Sequence, residues 1–287
     1  MPITHRTPLD GYHDLVVVRP SDLPDFSRPP LDEVVIGVQF APLSGFYDPH
    51  VGLLWRRIRS DFPTLEIQPR LESPIDDLAP NAQLTPPLIV MPLSGQGRSW
   101  LISQDEEFVL QVQNNRFMLN WRRRDSAYPH FEDLEERFWE YYGGFRELLT
   151  DENLPAPEVQ QVELSYINWI TDMSAHEVFR PAQSASLTTL GLGPFPEEQH
   201  FIGRYLARSE TGDPFGRLYV QCQPAVRIQP ARSDTGLQFT LTFRAPGKEP
   251  LRDKRLKELL AFGRVSIVRS FFDLTTDDAH QRWGVLQ

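Results

Sequence analysis

Val34, Ile36, Val38 and Phe40 alternate with polar or small residues through Glu33-Val34-Val35-Ile36-Gly37-Val38-Gln39-Phe40. That period of two is the signature of a strand with one buried face. The period then lengthens. Val51, Leu54, Trp55, Ile58 and Phe62 recur at helical spacing behind Asp48-Pro49, read as an N-cap followed by a proline in the first turn, and Pro63 ends the helix. Leu65 to Leu71 reads as one strand. Ser73 to Gly97, rich in Pro, Asn, Gly and Ser, reads as a loop with a strand at Leu88 to Met91.

A hairpin follows: Trp100 to Ser103, Phe108 to Gln113 and Phe117 to Arg123 are strand-like, with Asn114-Asn115 supplying residues that tolerate positive φ at the tight turn. Phe131, Leu134, Phe138, Tyr142, Phe145 and Leu149 then line one stripe of a long helix. Val162, Leu164, Tyr166 and Ile170 alternate along a further strand. The second half repeats the theme, with strands at Ile202 to Ser209, Arg217 to Arg227 and Leu237 to Arg244. Beyond Pro246-Gly247 a helical stretch runs through Leu251, Leu256, Leu259, Val265, Val268, Phe271 and Phe272, and a short helix carries Trp283.

This order predicts an α+β fold of antiparallel sheets with helices on one face. Two arrangements fit: a duplicated strand-helix-strands saddle, or a sheet curled around the long C-terminal helical segment. A Pro-rich extension occupies residues 1–29, with a short strand at Leu15 to Arg19. Residues 30–172 and 173–287 form the two α+β halves, packed together as one unit.

Composition narrows the function. The 287-residue chain carries 29 Lys+Arg against 39 Asp+Glu, a net charge of −10. That balance disfavours nucleic acid and anionic membranes as partners. No run approaches the ~20 apolar residues of a membrane span, and Leu15 to Val18 is too short for a signal segment. Cys222 is the only cysteine, so a disulfide within the chain and a cysteine-rich zinc site are both excluded. A cytoplasmic protein is expected.

Three segments stand out together: Pro29-Pro30-Leu31-Asp32-Glu33-Val34-Val35-Ile36-Gly37-Val38-Gln39-Phe40, Leu164-Ser165-Tyr166-Ile167-Asn168-Trp169-Ile170, and Phe271-Phe272-Asp273-Leu274-Thr275-Thr276. From about residue 28 onward the chain resembles a family of bacterial proteins named for its sporadic distribution. Members typically carry a basic residue after the Tyr-Ile-Asn triplet, where this chain has Trp169. The resemblance implies an accessory role, such as defence or neutralisation of a partner, and brings no catalytic residues with it.

The residues themselves offer little chemistry. There is no Gly-x-Ser-x-Gly nucleophile elbow and no Gly-x-x-x-x-Gly-Lys phosphate loop. Cys222 reads as a small buried residue of a strand. Asp277 and His280, three apart on the last helix, are a weak metal pair, as is His130 with Glu132 and Glu136; acids at helix starts explain both. Arg116, Arg122, Arg123 and Arg124 with Phe117 and Trp121, and Arg56, Arg57 and Arg59, are either a local nucleic-acid grip or ordinary strand and helix arginines paired with acids. Asn168 lies on the apolar face of its strand. It either bonds backbone to fix a strand crossing or lines a pocket, since an unpaired buried amide costs ~1–3 kcal/mol.

Tyr166, Asn168, Trp169, Arg122 and Arg124 are therefore the expected contact residues. The leading expectation is a non-enzymatic module that binds a protein partner, without a cofactor and with a homodimer open. A small-ligand-binding fold with a sheet-helix cavity and a metal-dependent hydrolase are the alternatives.

Overall fold

The computed structural model describes residues 20–72, 75–79, 88–90, 97–124, 127–180, 200–209, 211–229 and 232–286. The strand expected at Leu15 to Arg19 and most of the Ser73 to Gly97 loop lie outside them.

Nine of the described strands form a single antiparallel sheet. In chain order, β1 (Leu31–Phe40) is followed by α1 (Asp48–Ile58) and β2 (Thr64–Gln68). Then come β3 (Arg70–Glu72), β4 (Leu88–Val90), the meander β5 (Arg98–Ile102), β6 (Phe108–Gln113) and β7 (Arg116–Arg122), and α2 (Phe131–Asp151). The second half runs β8 (Val159–Ile170), the single turn α3 (Ala175–Val178), β9 (Phe201–Arg208), β10 (Pro214–Gln229) and β11 (Arg232–Pro246). It ends with α4 (Asp253–Leu274) and α5 (Asp277–Trp283). The sheet order is β2-β5-β6-β7-β1-β8-β11-β10-β9, and β3 pairs with β4 apart from it.

Reading outward from the central pair β1 and β8, each half lays down its strands in the same reversed order, β7-β6-β5-β2 on one side and β11-β10-β9 on the other. Each half then closes with a long helix. This matches the first of the two arrangements that the pattern allows, a duplicated unit, here joined into one sheet.

Period-two alternation fixes the two faces. Val34, Ile36 and Val38 oppose Trp121, Leu119 and Phe117 of β7, and Tyr166, Leu164 and Val162 of β8. These residues are buried under the helices. Phe117 lies among Phe138, Tyr142 and Phe145 of α2 at centroid distances of 6.1, 5.6 and 5.3 Å. On the other half Phe239 stacks on Phe271 of α4 at 5.6 Å. Offset and edge-on pairs of this kind add ~0.5–1.5 kcal/mol each beyond area burial.

Three local expectations change. Tyr47, not Asp48, is the N-cap of α1, because His50 Nδ1 accepts from Tyr47 N–H at 3.0 Å; Asp48 sits inside the first turn, where its charge meets the helix dipole. Leu65 to Leu71 is two strands in two sheets. It breaks at Pro69, which has no N–H to donate. Asn114 and Asn115 do not take positive φ; among the described residues the non-glycine ones that do are Glu106, in the β5–β6 turn, and Asn153. The two asparagines instead supply carbonyls to Leu43 and Phe40 N–H at 2.8 and 2.9 Å. No helix among the described residues is long and apolar enough to cross a membrane.

Candidate functional site

The site begins with an irregularity in β1. Leu31 opposes Asn168, but Glu33 opposes Ile167, so β1 advances two residues while β8 advances one. Asp32 is the extra residue of a β-bulge, a device that re-aims side chains. Leu31 stays on the helix side. Asp32 pairs with Arg227 at 2.5 Å, and Glu33 pairs with Arg122 at 3.5 Å.

On the helix side of the bulge is a cavity of about 90 Å³. Its walls come from Tyr166 and Asn168 of β8, Leu241 of β11, Arg264, Ile267 and Phe271 of α4, and Tyr128 in the chain before α2. The segment from Leu23 to Pro29 closes it. That segment is tied to the far end of the chain. Ser27 and Arg28 N–H donate to Gly284 and Trp283 carbonyls at 2.9 Å, and Phe26 packs edge-on against Phe271 and Trp283.

The lining is mostly apolar, with polar groups at few points. Tyr128 and Tyr166 hydroxyls lie 3.3 Å apart. Burial, and then the neighbouring Tyr166, push the Tyr128 phenol well above its usual range, so it stays protonated and able to donate. Arg264 bonds Glu132 at 2.5 Å and stacks on Phe131 at 4.8 Å. Asn168 Nδ2 donates to Phe239 O at 3.0 Å. Asn168 thus bonds the β11 backbone, with no strand crossing at that point, and lines the cavity.

The opposite face of the sheet carries no helix among the described residues. There Trp100 lies between two guanidinium groups, with Arg122 at 4.6 Å and Arg98 at 5.2 Å from its ring. Gln111 accepts from Arg98 and Trp100, donates to Asn120 at 2.7 Å, and Asn120 donates to Glu33. Across the central strands, Arg227 lies 4.4 Å over the Trp169 ring.

Comparisons with protein-family models, curated proteins and solved structures each find no match. A functional reading of the chain therefore rests on its geometry.

The expected contact residues do not converge. Tyr166 and Asn168 line the cavity, whereas Trp169 and Arg122 belong to the helix-free face, because one step along a strand reverses the side. Arg124 lies 3.8 Å from Glu106 at the exposed end of β7. The suspected interleaving of arginine and aromatic residues dissolves for the same reason: Phe117 and Trp121 are buried under the helices, while Arg116 and Arg122 point the other way.

Asp277 is exposed and pairs with Arg180 at 2.8 Å; buried His280 has its Nδ1 3.9 Å from Asp277, bonds Thr275 Oγ1 through Nε2 at 2.8 Å and stacks on Phe272. Glu132 is engaged by Arg264. No three His, Cys, Asp or Glu side chains gather to hold a metal among the described residues. Burial pushes the Cys222 thiol up to about 11, which leaves it a packing residue.

His280 carries a pH prediction. Burial, followed by the nearby Arg180, lowers its pKa below the ordinary 6.5, so the fold favours the neutral ring. The unfolded chain then binds the extra proton first, and stability falls as pH drops from 6.5 toward the folded value. Urea midpoints measured between pH 7.5 and 5 are expected to fall less for His280→Gln than for the parent chain. Equal falls would contradict it.

Tyr128, Arg264, Ile267 and the closing segment were not evident from the sequence. Arg264 alone left a signal: a cation on the stripe of Leu256, Leu260, Ile267 and Phe271.

Proposed function

We propose that the chain is a binding protein that performs no chemistry of its own. The cavity behind Tyr166 and Asn168 takes a small, mainly apolar molecule bearing a hydroxyl or carbonyl group. The observation that supports this is the cavity itself: apolar walls with a few convergent polar groups, one of them a phenol of raised pKa, are what small-molecule sites look like. The tyrosine hydroxyls would bind the polar end, and Ile267, Leu241 and Phe271 the rest.

Phenol is a suitable probe. Titrated into the labelled protein, it is expected to give saturable NMR shifts at Phe26, Tyr128, Tyr166 and Phe271. Ile267→Trp, which fills the cavity from α4, should remove them while the remaining spectrum keeps its dispersion. Unsaturable shifts, or equal shifts in the variant, would count against the proposal.

A second reading is a protein partner on the helix-free face, in keeping with the accessory role that the family resemblance implies. The Trp100–Arg122 and Trp169–Arg227 stacks favour it, since Trp and Arg are enriched at binding hot spots. Trp100→Ala together with Trp169→Ala would abolish such a contact and leave phenol binding intact.

A further inference from the structure

Gln113, Arg116, Gln39 and Gln161 stand directly opposite one another on four consecutive strands, β6, β7, β1 and β8. They form a row across the helix-free face, far from the cavity side. A strap made of residues 70–72 and 75–79 lies over this end of the face. Leu71 exchanges two hydrogen bonds with the Gln113 amide, at 2.8 and 3.2 Å. Asp76 N–H donates to Gln161 Oε1 at 2.7 Å, and Tyr219 OH donates to Asp76 at 2.7 Å. Arg217 donates to the Asp77 carbonyl at 2.6 Å.

Under this strap one arginine has no ion pair among the described residues. Arg70 pairs with Glu72 at 2.5 Å, Arg244 with Glu163 at 2.6 Å, and Arg217 with Asp76 at 3.5 Å. Arg116 is left over. It is 3% exposed, and its Nε and Nη2 have no hydrogen-bond partner. Those two atoms are the parallel fork by which arginine grips a carboxylate or phosphate side-on. Glu163 and Glu72 act on it only through space, each already committed to another arginine, and burial is the largest influence on the group.

A buried cation without a partner is costly, and a fully covered one works against whatever covers it. The strap's direct ties to the row are to Gln113 and Gln161, the amides flanking Arg116 and Gln39.

We propose that the row Gln113-Arg116-Gln39-Gln161 is an oxyanion site, gripped by the Arg116 fork and opened when the strap lifts. The covered state is a closed form. The ligand is a phosphate or carboxylate group, which takes the place of the Leu71 carbonyl as acceptor for the Gln113 amide N–H and supplies the charge that Arg116 lacks. The site is separate from the phenol-binding cavity, and neither stands or falls with the other.

The test uses the full chain at constant ionic strength, with sodium phosphate and sodium succinate each exchanged for chloride. Thermal midpoints of the parent are expected to rise by about 3 °C or more in at least one of the two. A rise in phosphate alone assigns a phosphate group; a rise in succinate assigns a carboxylate. Arg116→Met should lose the response and, without either anion, unfold no lower than the parent. Arg116→Lys, which keeps the charge but not the fork, should lose it too and covers the case in which the methionine variant fails to fold.

Hydrogen exchange gives the second reading. With the effective anion bound, the Leu71 and Asp76 amides should exchange about tenfold faster while the β7 and β8 amides slow. A parent indifferent to both anions, variants that respond as the parent does, or strap amides that slow on binding would overturn the proposal.

Discussion

Gly263→Leu is expected to unfold the C-terminal half of the protein at room temperature. A Cβ at Gly263 would sit 2.6 Å from Phe243 Cδ1 and 3.1 Å from Cγ, closer than real Cβ contacts come. The ring cannot retreat, because its far edge already meets Gly216, where a Cβ would lie 2.6 Å from Cζ. Phe243 is fully buried, with Phe262 beside it at a centroid distance of 5.5 Å. Overpacking by a single methyl costs about 1–3 kcal/mol, against about 1 kcal/mol gained from helix propensity. Leucine adds three more carbons and no further propensity, so strain wins. Circular dichroism should show a broad, early transition; a midpoint within a few degrees of the parent would contradict the close packing of α4 on β11.

Phe117→Ala should be nearly as damaging in the other half. The ring is fully buried, and three aromatic rings of α2 surround it. Deleting a buried phenylalanine costs about 3–5 kcal/mol. That is a large part of the roughly 5–15 kcal/mol that holds a typical domain together. Urea unfolding should show a clearly lower midpoint with little change in slope. A loss below about 1 kcal/mol would mean that α2 does not rest on β7 as described.

Strand and helix identities were legible because each element carries a clean period. β1 and α2 are the clearest: Val34, Ile36, Val38 and Phe40 alternate, and Phe131 through Leu149 fall on one stripe. The architecture followed from short turns between strands. Joining the two halves into one sheet needed the pairing of β1 with β8, residues more than a hundred positions apart that no local pattern links.

Two features of the sheet depend on pairing that the hydrophobic pattern does not announce. Pro224 sits within β10 without ending it, because among the described residues β9 pairs with β10 only as far as Cys222 and no ladder partner on that side needs the missing N–H. The bulge at Asp32 leaves no mark in the pattern either, yet it decides that Leu31 and Glu33 face opposite sides.

The candidate site was half legible. Tyr166 and Asn168 declared themselves, as polar atoms on the buried face of β8. Tyr128 lies in a stretch with no period, and the closing segment from Leu23 to Pro29 owes its position to contacts with Trp283 and Gly284 at the other end of the chain. Trp169 neighbours Asn168 in sequence and Arg122 carries a charge, but strand geometry places both on the other face.

The most direct test of a ligand site behind Tyr166 is a crystal of the protein soaked in 4-bromophenol and measured at the bromine edge. One anomalous peak is expected among Ile267, Leu241 and Phe271, with the phenol oxygen within hydrogen-bonding distance of a Tyr128 or Tyr166 hydroxyl. Bromine found only at the outer surface, with the space between β8 and α4 unchanged, would contradict it.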